Sequence, residues 1–264
     1  MVGQQALILF ILMGIGYCFG KSKLLAPEAV TGITNLVLYL VVSCSLISAF
    51  QLDLTAETLH DFLLSMLLAF VIVLACFFIP FFLLPEKDPI RKRIFCLAIA
   101  LTNCNFMAFP LQTALIGPTG IFYGSAYASV CPLLFWTGGV AYLTGDAKSF
   151  SMRKAFCNPG VAGIVLGLFF FFSGIDLPPV LMTVVDDISA MNVPLPMLLI
   201  GYQLSQANLR HVVSDKMSWL CALLRLVLLP LGALIVMYLL GVRGSVLIAT
   251  TVAAACPAGT LVAM

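Results

Sequence analysis

Charge is scarce in this chain: Asp, Glu, Lys and Arg together make up 9% of its 264 residues, where soluble domains carry about 25%. The formal net charge is only +2, so nothing points to a nucleic-acid partner. Histidine is limited to His60 and His211, and both are expected as solvated loop residues. There is no HExxH, P-loop or GxSxG, and no histidine within an apolar segment to serve a nucleophilic serine, so an enzyme is not expected. No ATP-binding domain is present, and any transport would run on ion or substrate gradients. The nine cysteines are scattered singly, without CxxC pairs or metal-site spacing. They read as small buried hydrophobes, and no cofactor is implied.

What replaces charge is apolar surface, at 62% of residues, more than a water-soluble fold can hide. Nine apolar segments fall at roughly 4–20, 28–50, 62–84, 94–115, 120–143, 159–174, 178–203, 218–240 and 245–264. Several reach the about 20 residues that a bilayer span needs. In lipid they must be helices, because backbone groups need internal partners. The first segment is expected to stay as a membrane helix. No basic residue precedes it, no small-residue cleavage site follows, and Lys21 and Lys23 lie on its far side.

The loops alternate in charge. Lys21, Lys23, Lys87, Arg91, Lys92, Arg93, Lys148, Arg153, Lys154, Arg210 and Lys216 share one side, while Asp53, Glu57, Asp61 and Asp176 lie on the other with Arg243. The positive-inside rule makes the first side cytoplasmic and predicts a multi-pass plasma-membrane protein with its N-terminus outside.

The longest polar interruption, Thr144–Cys157, follows five apolar segments. The predicted organisation is a first five-helix unit over 1–143, a cytoplasmic linker over 144–157 and a second unit over 158–264. With five spans per unit, a second copy lies upside down, the inverted-repeat plan of many secondary transporters. A shift of 152 residues places Gln51-Leu52 on Gln203-Leu204, Leu46 on Leu198, Arg91 on Arg243 and Cys104 on Cys256. On this plan a tenth helix is expected, and the sequence stops at Met264 within the ninth segment. The expectation is a C-terminally incomplete second unit.

Chemistry is concentrated in three stretches. Thr102–Gly120, TNCNFMAFPLQTALIGPTG, places Asn103 and Asn105 shortly before Pro110. Proline there predicts a helix broken at membrane depth, whose freed backbone groups can bind a substrate. The plain alternative is a kink with Asn holding helices together. Ala253–Thr260 is the matching interruption, with Pro257, Gly259 and Thr260; the alternative is again a tolerated kink. The seventh segment carries Asp186, Asp187 and Asn192 before Pro194 and Pro196. A carboxylate at depth is a functional hypothesis, here for proton or cation coupling. Arg225, inside the eighth segment, is the alternative partner for an aspartate as a structural ion pair. Asn35, Tyr39, Ser43, Cys44 and Ser45 read as helix-packing contacts. Pro27 and Glu28 read as first-turn helix residues.

The NxxFMxFPL pattern at Asn103–Leu111, the following Gly-Pro-Thr-Gly, the PLPMLLIGYQL run at Pro194–Leu204 and the Pro257-Ala-Gly-Thr break resemble the auxin efflux carrier family in its bacterial form, across essentially the whole chain. The resemblance implies an all-α integral membrane fold of ten helices, in two inverted five-helix repeats similar to bile-acid symporters and sodium/proton antiporters. Two broken helices would cross near mid-membrane, with a scaffold domain supporting an elevator-like motion. It implies transport of organic anions, auxin in plants and malate- or malonate-like acids in bacteria. Asn103 and Pro110 match the family's crossover motif, Pro257 its partner, and Asp186 falls where relatives often carry an acid. Ala108 departs from the usual glycine, Val42 from a frequent proline, and the tenth helix is missing.

The leading expectation is therefore a secondary transporter for a small organic anion such as a dicarboxylate, driven by protons or sodium. Asn103, Asn105, Pro110, Pro257, Gly259 and Thr260 are its candidate substrate site, and Asp186, Asp187 and Asn192 its candidate coupling site; no metal or catalytic residues are expected. The other partners expected are the lipid bilayer and a proton or sodium ion, with a homodimer left open. The competing class is a truncated, inactive or partner-dependent membrane protein. An intramembrane enzyme fits least, because adjacent Asp186 and Asp187 point about 100° apart on a helix.

Overall fold

The computed structural model describes residues 2–52, 55–145, 159–174, 177–207 and 215–259, and all of its elements are helical. We number them α1 (Val2–Lys21), α2 (Pro27–Ala49), α3 (Ala56–Leu83), α4 (Pro89–Ala100), α5 (Cys104–Ile116), α6 (Pro118–Thr144), α7 (Pro159–Ser173), α8 (Pro179–Gln206), α9 (Lys216–Leu239) and α10 (Gly244–Ala255). Five of these, α2, α3, α6, α8 and α9, are long and apolar enough to cross a bilayer. Phe10, Leu67, Phe82 and Leu239 are among many large apolar side chains left exposed, as lipid-facing helices require and water would penalise. The apolar segments and the helices coincide closely, and α4 and α5 together occupy the fourth segment.

Helix starts follow ordinary capping chemistry. Pro27 opens α2 with Glu28 in its first turn, as expected. Asp88 and Asp215 cap α4 and α9 through backbone N–H groups of the first turn. Inside the helices, wide π-turns occur at Val37–Val41, Cys104–Ala108, Phe135–Gly139 and Leu224–Leu228. Two of them stand just ahead of a proline, Pro110 and Pro230. Proline lacks an N–H and clashes with the carbonyl four residues back, and a wider turn relieves both.

Close helix packing rests on glycine. At Gly16 and Gly201 an added Cβ would overlap the backbone of Leu198 and of Met13 respectively, and Gly20 faces Ser205. These glycines let α1 lie directly on the second half of α8, the small-residue solution that membrane helices favour. The second half of α2 packs on α7 and on the first half of α8, while α3 and α10 both flank α6. Phe50, Phe62, Phe122 and Phe171 form an aromatic cluster at that junction, with Phe122 at 5.0 Å from both Phe50 and Phe62 and 5.2 Å from Phe171. Gly167 of α7 admits the Phe50 ring, which a Cβ there would meet at 2.7 Å.

Seven of the eight described cysteines are buried, Cys18 being exposed, in keeping with their expected role as small hydrophobes. Two expectations need correction. His60 lies within α3 and not in a loop; it is exposed, with its ring nitrogen 3.3 Å from Asp61. His211 falls outside the described residues. Arg225 pairs with neither Asp186 nor Asp187: it is 3% exposed in the wide turn of α9, whereas both aspartates are exposed on α8. One turn fixes 3.6 residues of azimuth, so a shared depth in sequence does not bring side chains on different helix faces together.

Arg91 donates to Asp215 at 2.6 Å and joins the start of α4 to that of α9, with Glu86 at 3.4 Å from the same guanidinium. The Arg91 hydrogen bond, followed by that of the Ser218 hydroxyl, holds the Asp215 carboxyl well below the usual carboxylate range. A depressed folded-state pKa adds stability above the unfolded value of about 3.9, and that stability fades as pH falls through the folded value. Asp215→Asn is therefore expected to unfold more readily than the wild type in detergent at pH 7, with the gap closing below about pH 4. Gly201→Leu is expected to cost about 1–3 kcal/mol or more through overpacking. Gly232→Ala, where a Cβ meets open space, is expected to be neutral or stabilising. Thermal unfolding of the purified variants checks both.

Candidate functional site at the crossing of two helix breaks

Between α4 and α5 the chain leaves helical geometry at Leu101, Thr102 and Asn103, and beyond α10 it does so again from Cys256. These two short extended stretches meet. Thr102 and Ala258 form an antiparallel bridge, Asn103 N–H donates to Pro257 O at 2.9 Å, and Gly259 N–H donates to Leu101 O at 3.0 Å. The Thr102 hydroxyl adds a bond to Ala253 O at 2.6 Å. Each break thus satisfies the main chain of the other, which permits irregular backbone inside an apolar core.

Local chemistry explains where the chain opens. Asn103 has φ −81° and ψ 68°, and its side-chain oxygen accepts from Phe106 N–H at 3.4 Å, capping α5. Gly259 must lack a side chain, because a Cβ there would sit 2.9 Å from the Thr102 carbonyl. The break expected near Pro110 lies instead seven to nine residues earlier. Pro110 is within helical α5, buried, just after the wide turn Cys104–Ala108 that accommodates it.

The surroundings are buried and sparsely paired. Gln112 of α5 is fully buried, donates to Ala249 O at 2.7 Å and so ties α5 to α10, while its carbonyl oxygen has no partner. Gly120 and Gly124 of α6 make room for it, since a Cβ at Gly124 would overlap the Gln112 amide. Among the described residues, buried polar atoms without a partner also include Asn105 Oδ1, Tyr127 Oη, Asn192 Oδ1, Thr251 Oγ1 and all three Arg225 side-chain nitrogens. An apolar cavity of about 280 Å³, lined by Val73, Phe77, Leu97, Leu101, Leu134 and Phe135 among others, reaches the first break at Leu101.

Residues 1–152 and 143–264 match a family described as membrane transport protein. The chain belongs to the auxin efflux carrier family. That family is one of membrane transporters, and the chain is a multi-pass membrane protein. One relative, an uncharacterized transporter of Methanothermobacter thermautotrophicus, is 29% identical over 169 residues, covering 63% of this chain and 55% of the relative. A second, an uncharacterized transporter of Methanocaldococcus jannaschii, is 24% identical over 255 residues, covering 90% of the chain and 80% of the relative. The chain thus spans about half the length of the first of these curated relatives.

Of the candidate substrate-site residues read from the sequence, Asn103, Pro257 and Gly259 meet at the crossing itself. Asn105 and Pro110 follow on α5, whereas Thr260 lies outside the described residues. The three coupling candidates form a different group, where α8 meets α2. There Asp186 accepts from the Ser48 hydroxyl at 2.7 Å, Ser189 bonds Ser45 at 3.1 Å, and Asn192 is buried in the 3₁₀ turn of α8 with its oxygen unpartnered. Asp187 is exposed beside them. Sequence reasoning passed over Thr102, Gln112 and Tyr127, and took Arg225 only as an ion-pair partner. Gln112 carried a legible signal, an amide in an apolar span.

The crossing is expected to hold Thr102 and Ala258 at the short Cα separation of a directly opposed antiparallel pair, about 4.5–5.5 Å, within disulfide reach. Thr102→Cys with Ala258→Cys, in a chain otherwise freed of cysteine, is expected to form an intramolecular disulfide on mild oxidation in membranes. Failure to cross-link while neighbouring helical pairs do would refute the pairing.

Proposed function

We propose that this family member is a gradient-driven secondary transporter for a small organic anion, bound where the two broken helices cross. The observation that carries the reading is the mutual main-chain pairing of the breaks at Thr102 and Ala258, which sets the start of α5 inside a buried core. A helix start presents free N–H groups and partial positive charge, which favour a carboxylate. Asn105, half-buried, supplies an adjacent amide N–H donor, and the apolar cavity at Leu101 suits a carbon skeleton.

Two inverted five-helix repeats are part of this proposal. A shift of 152 residues takes the wide turn Val37–Val41 of α2 onto the turn Ala190–Asn192 of α8, so equivalent helices are irregular at equivalent places. Proton or sodium coupling is assigned to Asp186 and Asp187 with Asn192, at the junction of α2 and α8, with the plasma membrane as location and the N-terminus outside.

Uptake of labelled malonate, malate and succinate into proteoliposomes, under imposed proton or sodium gradients, tests the reading. The chain is expected to accumulate at least one of these acids, Asn105→Ala to lower uptake about tenfold or more, and Asp186→Asn to abolish its dependence on the gradient. Well-inserted protein that moves none of them would sink the substrate class and leave the transporter family standing.

A further inference from the structure

Arg225 is the least expected residue in the core. It is 3% exposed, in the wide turn Leu224–Leu228 of α9, and among the described residues Nε, Nη1 and Nη2 all lack a hydrogen-bond partner. A guanidinium cannot shed its charge, and an unpaired buried charge costs several kcal/mol. Proteins keep such a group where something else completes it. Wide turns of this kind are themselves frequent at functional positions.

Its surroundings are specific. The turn carrying Arg225 packs against both α4 and α10, the two helices whose C-terminal ends lead into the breaks. Arg225 lies within electrostatic reach of Cys256, the residue that ends α10, and of Cys131, whose sulfur is 3.9 Å from that of Cys104 at the start of α5. Tyr127, one turn before Cys131 on α6, is within the same reach, 1% exposed, and its hydroxyl has no partner among the described residues. Two hydrogen-bond donors on different helices, both buried and both unsatisfied, therefore border one crossing. No described carboxylate is paired with Arg225.

We propose that Arg225 and Tyr127 form a carboxylate subsite beside the crossing, Arg225 holding the anion through its planar fork and Tyr127 donating its hydroxyl. The ligand is a small carboxylate, because the fork matches two carboxylate oxygens in one plane. The inference rests on the organic-anion reading above and adds to it a charged group that reading does not use. A carboxylate between them would satisfy both orphan donors at once.

Removing either group should then leave the empty protein intact and weaken the liganded one. Purified chain in detergent is titrated with malonate and with succinate, and its unfolding temperature is followed, with chloride and inorganic phosphate as comparison anions. Wild type is expected to gain stability with carboxylate concentration, whereas Arg225→Met melts no lower than wild type when empty and loses about 100-fold in carboxylate affinity. Tyr127→Phe, which deletes only an unpartnered hydroxyl, is expected to melt unchanged or higher and to lose about tenfold. Should Arg225→Met fail to fold, Tyr127→Phe decides alone. Wild-type affinity in a folded Arg225→Met or in Tyr127→Phe overturns the subsite; if Asn105→Ala still weakens binding in that case, the crossing remains the substrate site. If no carboxylate stabilises the wild type, the subsite and the organic-anion reading both fall.

Discussion

Two peptide strands of a few residues each, Leu101–Asn103 and Pro257–Gly259, hold the whole arrangement together by bonding to one another. In hydrocarbon an unpaired backbone N–H or C=O costs several kcal/mol, so neither helix could be interrupted alone. The Asn103 N–H bond to Pro257 and the Gly259 N–H bond to Leu101 make the two interruptions conditional on each other. What surrounds them follows from that condition. Gly259 must be bare to approach the Thr102 carbonyl, Thr102 must carry a hydroxyl to reach Ala253, and Gln112 must bridge to Ala249 so that α5 and α10 keep register.

The same condition explains which parts of the fold were legible in the sequence. Apolar length is a local property, and the bounds of α1, α2 and α6 to α9 could be read from it to within a few residues, whereas the end of α4 and that of α10, where the breaks begin, could not. The two interruptions were also visible, through Asn103 and Pro257. Their exact position was not. Pro110 looks like the breaker because proline disrupts an isolated helix, yet in the folded chain a wide turn absorbs it and the helix continues. The opening falls instead at Leu101–Asn103, residues of no special conformational habit apart from Asn103, because a partner strand waits there. Pairing across about 150 residues is a tertiary fact that local patterns do not contain.

The candidate site was readable in a similarly uneven way. Asn103, Asn105, Pro257 and Gly259 stood out as polar or irregular residues in apolar context, and the structure brings them to one place or its neighbourhood. Asp186 stood out too, but belongs to a separate junction with Ser48 on α2. Tyr127 carries no signal at all in sequence, since tyrosine is common in membrane helices and only its burial and lack of a partner mark it. Arg225 was visible as a charge at depth, and the tempting inference was a nearby aspartate. The geometry denies that pairing and leaves the charge unspent.

An unspent charge in such a place is partly compensated by the backbone. The ends of α4 and α10 that lead into the breaks are C-terminal, each equivalent to about −0.5 charge, and the start of α5 is worth about +0.5. Arg225, within electrostatic reach of Cys256 at the end of α10, therefore feels the negative end of a helix, an attraction worth at most about 2 kcal/mol. That offsets part of the cost of burial and leaves roughly half of a positive charge unanswered, since the opposite ends of α4 and α5 at the first break cancel one another. The residual field around the breaks is thus positive, beside the unpartnered oxygens of Asn105 and Gln112. A region so arranged binds anions more readily than cations, which sets the proposed anion site at the crossing apart from the carboxylates of α8, proposed to hold a proton or a sodium ion.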